Sequence, residues 1–320
     1  MKRILPVLAL FLLSPAIAEL LSGSAPPVEF FHPFTLLVLT ALYGSGAILV
    51  RELALRWHKR WPTILVLGAA YGIVEEGLMV KSFFDPNWMD LGVLGVYGRW
   101  AGVNWVWSLH LTLYHAVFSI AIPILLVELL FPAWRDERWL GRRGMVGLAL
   151  LLLADVAFGF FALTPYRPPA VPYLLALATT AALVLVARRL PTRWGTPRAV
   201  PVSRPPWFAF LGFGATLAFF LIHWALPEVA PPVPVTISAA AALVAVVGWA
   251  VWRMSGGGVW KDEHRLTLVG GALMFFVLLA PLQEFGTTGA DNMMGMTLVG
   301  LSALAFIFGL WRGARRQTCR

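Results

Sequence analysis

Apolar stretches of roughly twenty residues recur along the whole chain, separated by short connections that carry most of its prolines and charges. A helix of that length rises far enough to cross the roughly 30 Å hydrocarbon core of a bilayer. The pattern predicts about ten spans, near residues 4–22, 34–55, 63–84, 104–131, 145–164, 171–189, 207–226, 236–252, 267–285 and 292–312. A transmembrane barrel would instead show segments of about ten residues with alternating polarity. The expected fold class is therefore all-α, a polytopic transmembrane helical bundle.

Composition supports the same class. Hydrophobic residues make up 59% of the 320 positions and charged residues 13%, with a mean hydropathy of +0.76. A soluble domain carries about a quarter charged residues. The charges also orient the bundle. With the amino terminus inside, every one of the 25 basic residues except Lys81, Arg99 and Arg167 falls on a cytoplasmic connection or terminus. That asymmetry follows the positive-inside rule and predicts that both termini are cytoplasmic. The expected location is the cytoplasmic membrane of a bacterium or archaeon. The net charge of +9 then reflects orientation and contact with anionic headgroups, so membrane lipids are the expected partner. No connection is long enough to fold into a basic recognition surface, and a nucleic-acid partner is not expected.

The first segment reads in two ways. Lys2 and Arg3, an apolar run and the small-residue pattern Ala16-Ile17-Ala18 resemble a secretory signal, whose cleavage after Ala18 would leave nine spans. Retention is favoured because the apolar run continues through Leu20 and Leu21. Cys319 is the single cysteine and lies in the basic tail, which excludes an intramolecular disulfide or a thiolate metal cluster. The chain divides into residues 1–190, a Pro- and Arg-rich connection over 191–206, and a plainer set of spans over 207–320.

The adjacent acids Glu75 and Glu76 in the third span stand out, because ionised groups within a bilayer are costly and face the bundle interior. At 100° per residue, Gly68, Tyr71, Gly72, Glu75, Met79 and Ser82 share one helix face, with Glu76 at its border. Gly68 and Gly72 form a small-xxx-small step that admits a neighbouring backbone. In the fourth span Asn104, Ser108, Thr112, His115 and Ser119 form one polar stripe, and His110 points about 140° away from His115. At 1.5 Å per residue, Glu75, His115 and His110 lie about 18, 14 and 21 Å from the cytoplasmic side, so acids and histidines share a level.

Glu75, Glu76 and His115 are thus the catalytic candidates, and Asp155, about midway along the fifth span, can join their polar support. His110, His115 and Glu76 are candidate ligands for a divalent metal such as zinc. The external connection that follows the acids holds Lys81, Asp85, Trp88, Asp90, Arg99 and Asn104, a candidate lid or substrate ledge. Lys81 is placed either to neutralise Glu76 or to snorkel outward. Glu19, Arg51, Glu52, Glu128, His223 and Glu284 lie near span ends, where interfacial solvation accounts for them.

The paired glutamates followed by histidines resemble the CPBP (Abi, or CAAX-type) intramembrane protease family, built on EExxxR, FxxxH and HxxxN or HxxxD motifs in a helical bundle. Glu75 and Glu76 match the acids, and His110 falls where the second motif has its histidine. Val80 stands at the arginine position, with Lys81 one residue late, and Val106 stands at the phenylalanine position. His115 and Ser119 are similar to the third motif but fall on the same helix as His110. The resemblance covers about 45 residues and implies that glutamate and histidine activate water inside the membrane.

Three functions remain open: a membrane-embedded hydrolase acting on a peptide or lipid, a proton- or cation-coupled transporter of an unknown small molecule, and a structural or assembly protein. The depth match of Glu and His gives the hydrolase a slight preference.

Overall fold

The computed structural model describes residues 4–89, 91–192, 201–286 and 292–318, with side chains to residue 313. It is an all-helical bundle. The apolar helices are α1 (Ile4–Leu20), α2 (Pro33–Arg56), α3 (Trp61–Met79), α4 (Trp105–Leu130), α5 (Arg142–Leu163), α6 (Ala170–Arg189), α7 (Pro205–Glu228), α8 (Val233–Met254), α9 (Asp262–Phe285) and α10 (Met296–Gly313). Among the described residues, nine are long and apolar enough to cross a membrane, and α1 is shorter.

Burial sorts the helices into a centre and a rim. The most apolar stretches of α4, α3 and α2 are 72%, 67% and 56% buried, whereas that of α6 is 6% buried. Around the centre, apolar side chains point outward, as lipid-facing surfaces do. α1 belongs to the centre despite its length, since Leu10, Ser14 and Ala18 are fully buried. Ser14 donates to the backbone oxygen of Ser119 on α4 at 2.6 Å, and Tyr114 of α4 donates to that of Ala18 at 2.6 Å. α5 packs against α2 and α6 against α3, while α7 to α10 pack on one another and meet the centre through α4.

The third span is shorter than its apolar pattern implies. α3 ends at Met79, and residues 80–84, expected within the span, are not helical. Lys81 sits in a left-handed conformation with φ of 67°, which stops the helix. The connection to α4 then folds into buried turns and a short hairpin pairing Arg99–Trp100 with Val103–Asn104. Ala101 and Gly102 both have positive φ at its tip, as a two-residue hairpin turn requires.

Candidate functional site

α3 and α4 cross in close contact because two glycines remove the side chains between them. A Cβ on Gly68 would come within 2.9 Å of the Ala116 Cα, and one on Gly72 within 3.0 Å of the His115 Cβ. This crossing carries the paired acids to the histidine.

His115 is bracketed by carboxylates. Its Nδ1 lies 3.2 Å from Glu75 and 2.9 Å from the Ser119 hydroxyl, and its Nε2 lies 3.1 Å from Glu76. The Tyr43 hydroxyl of α2 donates to Glu75 and is within hydrogen-bond reach of Glu19 of α1 as well. Glu76 accepts from the Ser82 hydroxyl, which in turn accepts from the Trp107 indole at 3.1 Å. Tyr71 completes the wall, its ring centroid 6.3 Å from that of His115. Glu75 and His115 are buried, and Glu76 is partly so. Among the described residues, no lysine or arginine pairs with Glu19, Glu75 or Glu76.

The local backbone is unusual at each of these positions. π-helical turns span Ala16–Leu20 with Glu19, Thr40–Gly44 with Tyr43, Val74–Met79 with both acids, and His115–Ala121 with His115 and Ser119. Such turns close hydrogen bonds from i to i+5 and are frequent at functional sites. They also explain a departure from the helical wheel. On an α-helix Glu76 falls at the border of the inner face, but the wider turn spreads consecutive side chains less, so both acids meet the same imidazole.

Donor atoms of Glu75, Glu76 and His115 lie within 4.8 Å of one another, a set that can hold a metal ion. Carboxylate and imidazole suit zinc at about 2.0–2.2 Å, so binding would draw these donors slightly inward.

His110 does not share this set. Its ring packs against Trp107, Phe219 and His223, with centroids 5.8, 4.9 and 4.8 Å away, on the side of α4 that faces α7. The grouping of His110 with Glu76 and His115 as metal ligands is therefore not realised, because α4 directs the two histidines to different neighbours. Asp155 is buried on α5, within electrostatic reach of Tyr71, with one carboxylate oxygen lacking a hydrogen-bond partner. It bonds to none of the three acids' partners directly.

The other residues expected at the site serve the connection and the helix start. Lys81 neither neutralises Glu76 nor snorkels outward. It is fully buried and donates to the backbone oxygens of Phe160 at 2.7 Å and Thr164 at 3.1 Å. Arg99 donates to those of Phe84 and Asp85, Asp85 accepts from the Asn87 amide, and Trp88 is half-buried against the same loop. Asn104 caps α4 by accepting from the Trp107 amide at 3.0 Å, and Ser108 donates to the Asn104 backbone oxygen. Thr112 lines the Gly72 contact. Asp90 lies outside the described residues.

Glu19 and Tyr43 belong to the cluster although sequence reasoning set Glu19 aside as interfacial and passed over Tyr43. A signal was present for each: an acid after the small residues Ala16 and Ala18, and a tyrosine followed by Gly44, Ser45 and Gly46. The interfacial reading also fails for Arg51, Glu52, Glu128 and His223, all of which are buried. Arg51 pairs with Glu52 at 3.0 Å and Glu128 at 3.3 Å, stacks 3.3 Å above the Trp139 ring and donates to three backbone oxygens.

No curated protein and no solved structure matches the chain, so neither comparison returns an intramembrane protease. One family model does match, over residues 8–315. That match spans nearly the whole chain, and the protein belongs to an uncharacterized family of membrane proteins.

Proposed function

We propose that the Glu19, Tyr43, Glu75, Glu76 and His115 cluster is a membrane-embedded acid–base centre and that the protein is a hydrolase acting on a peptide or lipid, in the cytoplasmic membrane of a bacterium or archaeon. The observation that carries this reading is the charge imbalance: two carboxylates flank one imidazole and a third shares the Tyr43 hydroxyl with Glu75, with no lysine or arginine paired to any of the three among the described residues. Buried negative charge in that excess must be offset by bound protons or by a cation. Either one places an exchangeable proton or a bound cation beside His115, which acid–base chemistry requires.

The residues divide the work. Glu75 or Glu76 takes the proton of an attacking water, and the His115 imidazole, with a carboxylate at each nitrogen, passes a proton from one side to the other. Tyr43 and Glu19 fix the Glu75 carboxylate, and Ser82 fixes Glu76. A divalent ion such as zinc, held by Glu75, Glu76 and His115, would supply a water acidified toward neutrality and a Lewis acid for the carbonyl. The reading does not follow the protease family's motif order, since the histidine beside the acids is His115 and not His110.

Wild-type protein in liposomes, assayed against a panel of fluorogenic peptides and lipid esters, tests the proposal. Turnover is expected to fall about a hundredfold or more in Glu75→Gln, Glu76→Gln and His115→Ala. Equal turnover in all three variants would overturn it. A second reading, proton- or cation-coupled transport, draws on the contiguous polar row Glu19, Tyr43, Glu75, His115 and Glu76, hydrogen-bonded at Tyr43 and between His115 and Glu76 and joined by a 3.2 Å ion-pair contact between Glu75 and His115. Uptake driven by a pH gradient and lost in the same variants would favour it.

A further inference from the structure

We propose that a pocket at the arginine-rich end of the bundle binds the phosphate group of an anionic phospholipid or of a soluble phosphate ester. The cavity, about 270 Å³, opens between the start of α3, the end of α6 and the connection from α8 to α9. Arg60, Trp61, Thr63, Trp260 and Arg265 line it, and Gly258 leaves part of its wall without a side chain.

Three features of this wall favour an anion. The first is a pair of weakly countered guanidiniums. Among the described residues, ion pairs beside the pocket join Arg51, Arg56 and Arg60 to Glu52, Glu128 and Asp136, and Arg135 and Arg265 to Asp262. Arg60 and Arg265 hold the loose ends of these two groups. Arg60 reaches Glu128 only at 3.8 Å while bonding Asp136 at 2.7 Å, and Arg265 reaches Asp262 only at 3.5 Å. The second is an unused donor: the Arg265 Nε is buried and has no hydrogen-bond partner. The third is α3 itself, whose amino-terminal end enters the pocket without a side-chain cap and brings the positive end of a long helix dipole. Trp61 and Trp260 flank these groups, the amphipathic residues that settle at headgroup level. Guanidinium pairs recognise phosphate through charge-assisted, bidentate bonds, and basic pockets between membrane helices bind headgroups in this way.

The test uses the full-length protein in nanodiscs of phosphatidylglycerol and phosphatidylcholine in equal parts, extracted gently and weighed by native mass spectrometry. Preferential retention of phosphatidylglycerol is expected, falling about tenfold in Arg60→Gln and Arg265→Gln but not in Arg167→Gln, which lies away from the pocket. If the source is a soluble ester, inorganic phosphate at equal ionic strength will raise the thermal midpoint of delipidated wild type above that in chloride, without lipid enrichment. Should either Gln variant fail to fold, the corresponding Lys variant keeps the charge and is expected to keep most of the retention. Folded wild type that shows neither lipid preference nor phosphate stabilisation overturns the proposal.

Discussion

The molecule buries charge in two places, and it treats them in opposite ways. At the arginine-rich end, Arg51 is fully buried but countered: two carboxylates, three backbone oxygens and the Trp139 ring surround it. Glu52 is equally occupied, accepting from Arg51, Arg56 and the Trp139 amide. Between α1, α2, α3 and α4, by contrast, acids outnumber bases and the partners are hydroxyls and one imidazole. Arg51 and Glu52, each with countercharge, tie α2 to the connection after α4. A cluster that lacks countercharge must be neutralised by bound protons or by a cation. Four of the six π-helical turns among the described residues carry the second region's residues, the others being Gly159–Leu163 and Leu221–Ala225, and none carries Arg51, Glu52 or Glu128, which lie in regular α-helix.

That contrast can be broken by mutation. Arg51→Ala should have the largest effect, because it removes the nearest countercharge of buried Glu128 and one partner of Glu52, and removing one partner of a buried pair costs about 3–5 kcal/mol. The loss would be read as a fall in folded yield and thermal midpoint in detergent. Gly68→Leu comes next. It forces α3 away from the Ala116 backbone, an overpacking cost of about 1–3 kcal/mol, and draws the acids off His115. Tyr43→Phe removes the hydroxyl shared by Glu19 and Glu75 and should cost about 1 kcal/mol or a little more. Glu75→Gln should change stability least, within about 1 kcal/mol, since it relieves an excess of acid while keeping hydrogen-bonding capacity. A Glu75→Gln variant as unstable as Arg51→Ala would mean that the two regions are not different in kind.

Much of this was legible in the sequence. Spans read well because the thickness of a bilayer sets the length of an apolar run, and that length does not depend on which helices pack together. The juxtaposition of Glu75 and Glu76 with His115 was readable for a related reason: antiparallel neighbours with equal depth and a Gly68–Gly72 step have little choice of contact. Glu19 was not readable in this way. Linear position put it at a span end, whereas packing of α1 into the centre brings it to Tyr43. Lys81 misled for a different reason, since its ammonium is claimed by backbone oxygens at the end of α5, a partner about 80 residues distant that periodicity cannot reveal. The motif match to His110 was a match of spacing alone, and the direction of a side chain on α4 overrode it.

The most direct test of an under-neutralised acid cluster is the divalent metal content of detergent-purified wild type beside Glu75→Gln, Glu76→Gln and His115→Ala. About one zinc or similar ion per folded chain, lost in each variant, is the predicted result. A folded wild type that carries no metal, even after dialysis against zinc, would contradict the ligand assignment.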